Sequence, residues 1–436
     1  MKKTSSESKR KTSSAKTVKT GKTTGRALRA STTLVKKTMV KNSPGQAPDR
    51  LAVSPNRLTR QTVSTRVAVA SSGNQKPAKG SGAKYYFHFG SGRAEGSRDD
   101  IDILGGKGAG LCEMSAAGIP VPPGFVISAA VCRLFYDAGL TTPGAIDKQL
   151  EENVRKLEKQ AGALFGDPEN PLLLSVRSGS KFSMPGMMDT ILNLGLNQQT
   201  LDGLVNKTGN ARFAHDNYRR LIQMFGNVVL GIDRGFFEAS VEKIKKDRRI
   251  KNDSSLQVKD LKDIISRFKS IIKRKSGEEF PDDPMTQLRL SRDAVFKSWN
   301  NPRAISYRRM NDIPSHLGTA VTIQAMVFGN SGPKSGTGVG FTRNPSTGEN
   351  EFFGEYLQNA QGEDVVAGIR TPQPIARLGK DMPAVRSNFF DLGLSQTDVR
   401  NRLRMLQTLP ERLSNFSDRS LVEFVIEHFA GQSDFR

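Results

Sequence analysis

Ile101-Asp102-Ile103-Leu104-Gly105-Gly106-Lys107-Gly108-Ala109-Gly110 is the stretch on which the reading of this chain turns. Its apolar opening reads as a short strand running into a glycine-rich turn, after which Leu111, Met114 and Ala117 take the spacing of a helix. Small residues between a strand and a helix let backbone N–H groups approach an anion, and the positive end of a helix favours negative charge. Lys107 stands where it could reach a phosphate. The segment is not a Walker A loop, which requires Gly-Lys-Ser/Thr after four intervening residues. A purely structural turn fits the same residues.

Working outward, strands and helices alternate. Tyr85-Tyr86-Phe87-His88-Phe89 has strand texture, and Val121 to Ser128, opened by Pro122-Pro123-Gly124, reads as a second strand. Leu150, Val154, Leu157, Ala161 and Leu164 fall at helical spacing on a charged segment. Leu172 to Val176 is an apolar strand that leads into Arg177-Ser178-Gly179-Ser180. A lysine-rich helical region covers 197–282, marked by Leu261, Ile264, Ile265, Phe268, Ile271 and Ile272. Strand texture returns at Ala320 to Phe328, Gly338 to Thr342 and Glu351 to Phe353. No internal repeat is evident.

The chain has 436 residues, enough for two or three domains, and no apolar run near the roughly 18 residues of a membrane span. It reads as a soluble protein. Of its net charge of +23, residues 1–84 carry +18, from 20 Lys and Arg against Glu7 and Asp49. That stretch has no aromatic residue and no sustained apolar period, so it cannot bury enough surface to offset the entropy of ordering. A disordered basic tail is expected there, acting as an organellar transit segment, as an arm for an anionic surface, or as a solvated extension. Because the basicity belongs to the tail, nucleic acid is not expected as the partner of the folded part. The two cysteines, Cys112 and Cys132, make neither a disulfide framework nor a metal cluster.

Four further constellations could carry chemistry. Arg177, read as lying just after a buried strand, offers a guanidinium fork for phosphate oxygens, with a structural ion pair as the alternative. Ser335 to Pro345 sets three glycines around Thr337 in a hairpin, followed by Arg343, and mobile backbone donors there could close over a polyphosphate, with a plain glycine hairpin as the alternative. Glu355, Glu363 and Asp364 are carboxylates suited to Mg²⁺, or simply exposed acids. Met184, Met187 and Met188 read as core filler. His88, His215, His316 and His428 lack metal-ligand spacing, and no Ser/His/Asp arrangement or dinucleotide fingerprint appears.

Taken together and in order, these strings resemble the N-terminal half of pyruvate, phosphate dikinases. The resemblance runs over about residues 85–383, through Gly105 to Gly108, Ser175 to Gly179, Ser183 to Thr190, Trp299 to Asp312, Ser335 to Pro345 and Asn359 to Ile375. Met184-Pro185-Gly186-Met187-Met188-Asp189-Thr190 and Arg370-Thr371-Pro372-Gln373-Pro374-Ile375 favour this family over phosphoenolpyruvate synthases and glucan, water dikinases. The resemblance implies an α+β, ATP-grasp nucleotide-binding unit holding ATP and Mg²⁺ between two lobes. The expected division is a tail over 1–84, a first lobe over 85–196, a helical insert over 197–282, a return to the first lobe over 283–327, and a second, incomplete lobe over 328–436. In the family the β-phosphoryl of ATP passes to a histidine on a swivelling domain, phosphate takes the γ-phosphoryl, and a C-terminal barrel delivers the phosphoryl group to pyruvate.

Residue by residue, the resemblance assigns Lys107 and Arg177 to phosphate contact, Thr337 and Gly338 to a phosphate-covering loop, and Glu363 to the nucleotide site. Val422-Glu423-Phe424-Val425-Ile426-Glu427 looks like the family's carboxylate-bearing strand, which makes Glu423 the candidate Mg²⁺-nucleotide ligand. The preceding acidic position of that strand is apolar here, and the chain reaches Arg436 before further nucleotide-contacting residues. ATP and phosphate are the implied ligands, with a separate chain supplying the phosphohistidine and pyruvate-binding domains, and a homodimer is an open option. The expected compartment is the cytoplasm, or an organelle matrix if the tail is a transit segment. Alternatives are a non-catalytic paralogue that binds nucleotide or a protein partner, and a nucleic-acid-associated protein working through its tail.

Overall fold

The computed structural model describes residues 84–383, apart from 342, 351–352, 367 and 369, together with the backbone of the strand Val422–Ile426. All but the last residue of the expected basic tail lies outside the described residues. The described part is α+β, built on two antiparallel sheets.

The first sheet contains β1 (Tyr86–Gly90), β2 (Arg93–Ala94), β3 (Gly124–Ile127), β6 (Leu174–Gly179), β7 (Thr190–Leu194) and β8 (Ala320–Ala325). A short parallel pair, β4 (Leu164–Phe165) and β5 (Pro171–Leu172), precedes β6. The strand order is β2-β1-β3-β8-β6-β7, with every neighbouring pair antiparallel. The last strand in sequence therefore sits in the middle. The chain leaves the sheet from its edge at β7, passes through helices, and returns between β3 and β6.

Alternation along the strands gives both faces of this sheet a core. Phe125, Ile127, Leu174, Val176, Val321 and Ile323 belong to the main apolar cluster, which α2 (Ala129–Asp137) and α3 (Gly144–Ala161) help to cover. Phe87, Phe89, Val126 and Ala320 point the other way and pack with Leu104, Ala109 and Cys112 of α1 (Ile101–Ala116). The period-two pattern of the strands thus places α1 on one face and the remaining helices on the other.

Between β7 and β8 run α4 (Gln198–Thr208), α5 (Ala211–Met224), α6 (Arg234–Arg248), α7 (Val258–Ser276), α8 (Pro284–Ser298) and α9 (Pro302–Met310). In α7 the apolar stripe buries Leu261, Ile264, Phe268, Ile271 and Ile272, each worth roughly 1.5–3 kcal/mol of burial. The helix opens on Gln257, whose N–H donates to the Asp260 carboxylate at 2.8 Å, and stops at Gly277 in the left-handed conformation. Helices continue past residue 282 to Met310, and α8 packs on β6, β7 and β8.

The second sheet consists of β9 (Gly336–Phe341), β10 (Phe353–Gln358), β11 (Gln373–Pro374) and β12 (Val422–Ile426), in the order β11-β10-β9-β12 and antiparallel throughout. Two short helices accompany it, α10 (Gly362–Val366) and α11 (Leu378–Asp381). Tyr356 and Met382 form its small core with Ile375 and Leu378.

Several expectations need correction. Ile101 to Leu104 is not a strand but the first turn of α1, because Leu104, Gly108 and Cys112 are buried at helical intervals while Ile103 is 40% exposed. Asp100 at the N-cap and Asp102 in the first turn also suit a helix N-terminus. Leu164 lies beyond α3, which ends at Ala161 because Gly162 takes φ +65°. The strand expected at Glu351 to Phe353 instead spans Phe353–Gln358.

Candidate functional site

Gly105 breaks α1. With φ +67° and ψ 168° it divides the helix into two runs, and it lies so close to β6 that an added Cβ would stand 2.0 Å from the Gly179 carbonyl oxygen. Just after the break, the Gly106 N–H donates to the Ser180 carbonyl at 2.9 Å. The glycine-rich segment is therefore a kink inside a helix and not a strand-to-helix loop. The kink seats Lys107, which is exposed, at the end of β6.

Arg177 belongs to β6 itself and does not follow it, since the strand continues to Gly179. It pairs with Thr322 of β8 on one side and Thr190 of β7 on the other. Alternation turns Leu174 and Val176 into the main core, so Arg177 takes the opposite face, the one α1 covers. Lys107 and Arg177 are thereby brought to one end and one face of the first sheet.

Glu363 comes from α10, which packs on β9 and β10. Burial pushes its carboxyl above the usual range, against the pull of Arg220; Arg177 and Arg234 also lower it, and neighbouring Asp364 raises it. Arg177 of the first sheet is thus among the charges that act on Glu363 beside the second. Asp364 is buried and taken by Arg220, whose Nη1 lies 2.9 Å from Oδ1. The exposed-acid reading fails for Asp364, and Mg²⁺ binding by it would have to displace this ion pair.

Thr337 and Gly338 lie in β9, an inner strand hydrogen-bonded to both β10 and β12. The hairpin exists, but its turn falls between Phe341 and Phe353, and the glycines at 336, 338 and 340 belong to its first strand. The expectation of a mobile loop at Thr337 and Gly338 is corrected accordingly. Thr337 is 1% exposed, and its hydroxyl has no hydrogen-bond partner among the described residues. Glu423 lies in β12 opposite Val339. Among the described residues no three His, Cys, Asp or Glu side chains gather as a metal site. No helix of the described residues is long and apolar enough to cross a membrane.

The family model described as pyruvate phosphate dikinase, AMP/ATP-binding domain, matches residues 101–143 and 140–395. The chain belongs to this family. Pyruvate, phosphate dikinase of Clostridium symbiosum is 51% identical over 313 residues, covering 72% of this chain and 35% of that protein. That of Rhizobium meliloti (strain 1021) is 53% identical over 350 residues, 79% of this chain and 38% of the relative. The protein named pyruvate, phosphate dikinase 1, chloroplastic, of Zea mays is 51% identical over 356 residues, 79% of this chain and 37% of its own length. The chain spans rather more than a third of the length of these curated relatives.

Within this member of the pyruvate phosphate dikinase AMP/ATP-binding family, the polar network beside Glu363 escaped sequence reasoning. Asp216 of α5 accepts from Arg219 at 2.7 Å and from Arg220 at 3.1 Å. Burial would raise the Asp216 carboxyl, but Arg219 and Arg220 outweigh it and hold the group well below the usual carboxylate range. Arg220 spans Asp216 and Asp364, residues far apart in sequence. The adjacent arginines in Asp216-Asn217-Tyr218-Arg219-Arg220 were the available signal, since two buried guanidinium groups require carboxylate partners. The methionines do act as filler, with Met184 packed against Trp299, Ala304 and Ile313.

Proposed function

We propose that this chain is the ATP-grasp part of a pyruvate, phosphate dikinase-type phosphotransferase and handles the ATP and phosphate half of the reaction. Family membership supports nucleotide binding. The observation that carries the reading is the placement of Lys107 and Arg177 at one end and on one face of the first sheet, with Arg177 among the charges that act on Glu363. Phosphoryl transfer depends chiefly on positioning and charge neutralisation, and cationic groups gathered at a strand end contribute to both.

In this reading Lys107 and Arg177 hold phosphate oxygens, while Thr337 and Gly338 border the phosphates from β9. The Thr337 hydroxyl, without a partner among the described residues, is a donor for a phosphate oxygen that reaches this buried position. Mg²⁺ needs only one or two protein carboxylates when nucleotide phosphates complete its shell, which Glu363 and Glu423 could provide. The metal would neutralise phosphate charge. Residues 85–196 and 283–327 form the first lobe, 197–282 the helical insert, and 328–436 the second lobe. The histidine-bearing and pyruvate-binding steps belong to other residues of a longer chain or to a separate one. The compartment is the cytoplasm, or an organelle matrix if residues 1–84 serve as a transit segment.

A second reading, a nucleotide-binding paralogue without turnover, is favoured by the apolar residue in place of the acid that precedes Glu423 in the family. Calorimetric titration of the full chain with Mg²⁺ and a non-hydrolysable ATP analogue tests binding. Micromolar affinity, about −8 kcal/mol, weakened in both Lys107→Ala and Arg177→Ala, is the expected result. A folded wild-type protein that binds nothing overturns both readings. Phosphoryl transfer to a supplied histidine-bearing polypeptide separates the first from the second.

A further inference from the structure

The segment that carries Glu363 is fastened to α5 at two points, each one helical turn apart on its own element. Gln361 and Asp364 are the fastenings on one side, and Asn217 and Arg220 on the other. Gln361 Nε2 donates to Asn217 Oδ1 at 2.7 Å, and Arg220 Nη1 donates to Asp364 Oδ1 at 2.9 Å. The backbone N–H of Gln361 also donates to Asp364 Oδ2 at 3.1 Å, closing the two points into one unit around Glu363. A single contact would fix a distance, whereas two contacts three residues apart on each element also fix rotation.

The neutral contact sits in a cluster of buried amides. Asn217 Oδ1 accepts a second bond from Asn330 Nδ2 at 3.1 Å, and Gln361 Nε2 reaches Asn193 Oδ1 at 3.4 Å. Asn193 is fully buried in β7 with φ +63°, beside the irregularity in the β6–β7 register. Asn193 Nδ2, Asn217 Nδ2, Asn330 Oδ1 and Gln361 Oε1 have no partner among the described residues. A buried cluster this poorly satisfied contributes little net stability, because each orphaned group offsets a bond made nearby. What the Gln361–Asn217 contact does supply is direction.

Building on the nucleotide-site reading above, we propose that Gln361 and Asn217, together with the Arg220–Asp364 pair, form a positioning clamp that holds Glu363 in the nucleotide site. Gln361 and Asn217 are positioning residues that act through Glu363. The clamp ties nucleotide affinity to a contact between α5, in the helical stretch, and the segment following β10.

The test is a double-mutant cycle on the full chain, titrated with Mg²⁺ and the β,γ-imido analogue of ATP. Gln361→Met is expected to melt near wild type and to weaken binding about tenfold, the scale of coupling between contacting residues. In a Glu363→Gln background the same substitution is expected to weaken binding less than about twofold, since the group it positions is gone. Asn217→Leu breaks the contact from α5 and must give the same profile, so it carries the test if Gln361→Met fails to fold. Equal losses in both backgrounds, or wild-type affinity in Gln361→Met, overturn the clamp while leaving the nucleotide reading intact. A folded wild type that binds no nucleotide overturns that reading and the clamp with it.

Discussion

At Gly105, one residue's stereochemistry decides where Lys107 stands. Its φ of +67° with extended ψ is a conformation that costs other residues about 1–3 kcal/mol. The space where a Cβ would go is already filled by the Gly179 backbone, which has no flexible side chain to yield. Gly105→Ala is therefore expected to destabilise the chain by roughly 3 kcal/mol or more, adding strain to overpacking. Nucleotide affinity should fall as well, because the Gly106–Ser180 hydrogen bond that seats the kink is displaced. Gly110, in the same helix, has nothing within 4 Å of its absent Cβ. Gly110→Ala should stabilise by about 0.5–1 kcal/mol. Denaturant unfolding of the two variants checks both, and equal effects would show that the kink carries no special constraint.

Among the elements, α5 is unusual in burying Asp216, Asn217 and Arg219 along with its apolar residues. Because Asp216 is held below its unfolded value of about 3.9, its contribution to stability is complete above that pH and is lost as pH falls through the folded value. Asp216→Asn leaves Arg219 and Arg220 short of a buried counter-charge and should cost about 3–5 kcal/mol at pH 7. The gap between variant and wild type should narrow below about pH 4, which urea unfolding from pH 3 to 7 measures. The element scale also shows what the sequence made legible. The stripe from Leu261 to Ile272 could be read because an amphipathic helix writes its own period, and β1 and β3 because aromatic and β-branched runs bounded by Pro and Gly have few alternatives. Ile101 to Leu104 could not, because four apolar-rich residues fit either period and Gly105 concealed the continuity of the helix. At β9, glycines that resemble a loop are instead the inner strand of a sheet, a role set by pairing with distant β10 and β12. Arg177 could be proposed for phosphate contact by resemblance, but its electrostatic influence on Glu363 depends on folding distant segments together.

For the molecule as a whole, the proposed site draws on both sheets, and that has a thermodynamic consequence. A nucleotide touching Lys107 and Arg177 on the first sheet and the β9 region of the second stabilises both, by about 2.7 kcal/mol at a free concentration one hundred times Kd. Hydrogen exchange localises this gain, because amide protection reports local opening. With saturating Mg²⁺ and ATP analogue, exchange is expected to slow at Gly106 to Gly108 and also at Thr337 to Val339. Protection confined to α1 and β6 would mean that the first sheet holds the ligand alone, and the place assigned to Thr337 and Gly338 would fall. Protection that spreads across α5 and Gln361 as well would link the clamp to ligand binding, since α5 and α10 meet through Arg220 and Asp364. Gln361→Met separates the two routes. It should leave the protection at Gly106 to Gly108 in place and remove most of the gain at β9, because the clamp fastens the second-sheet region chiefly to α5 and does not touch α1.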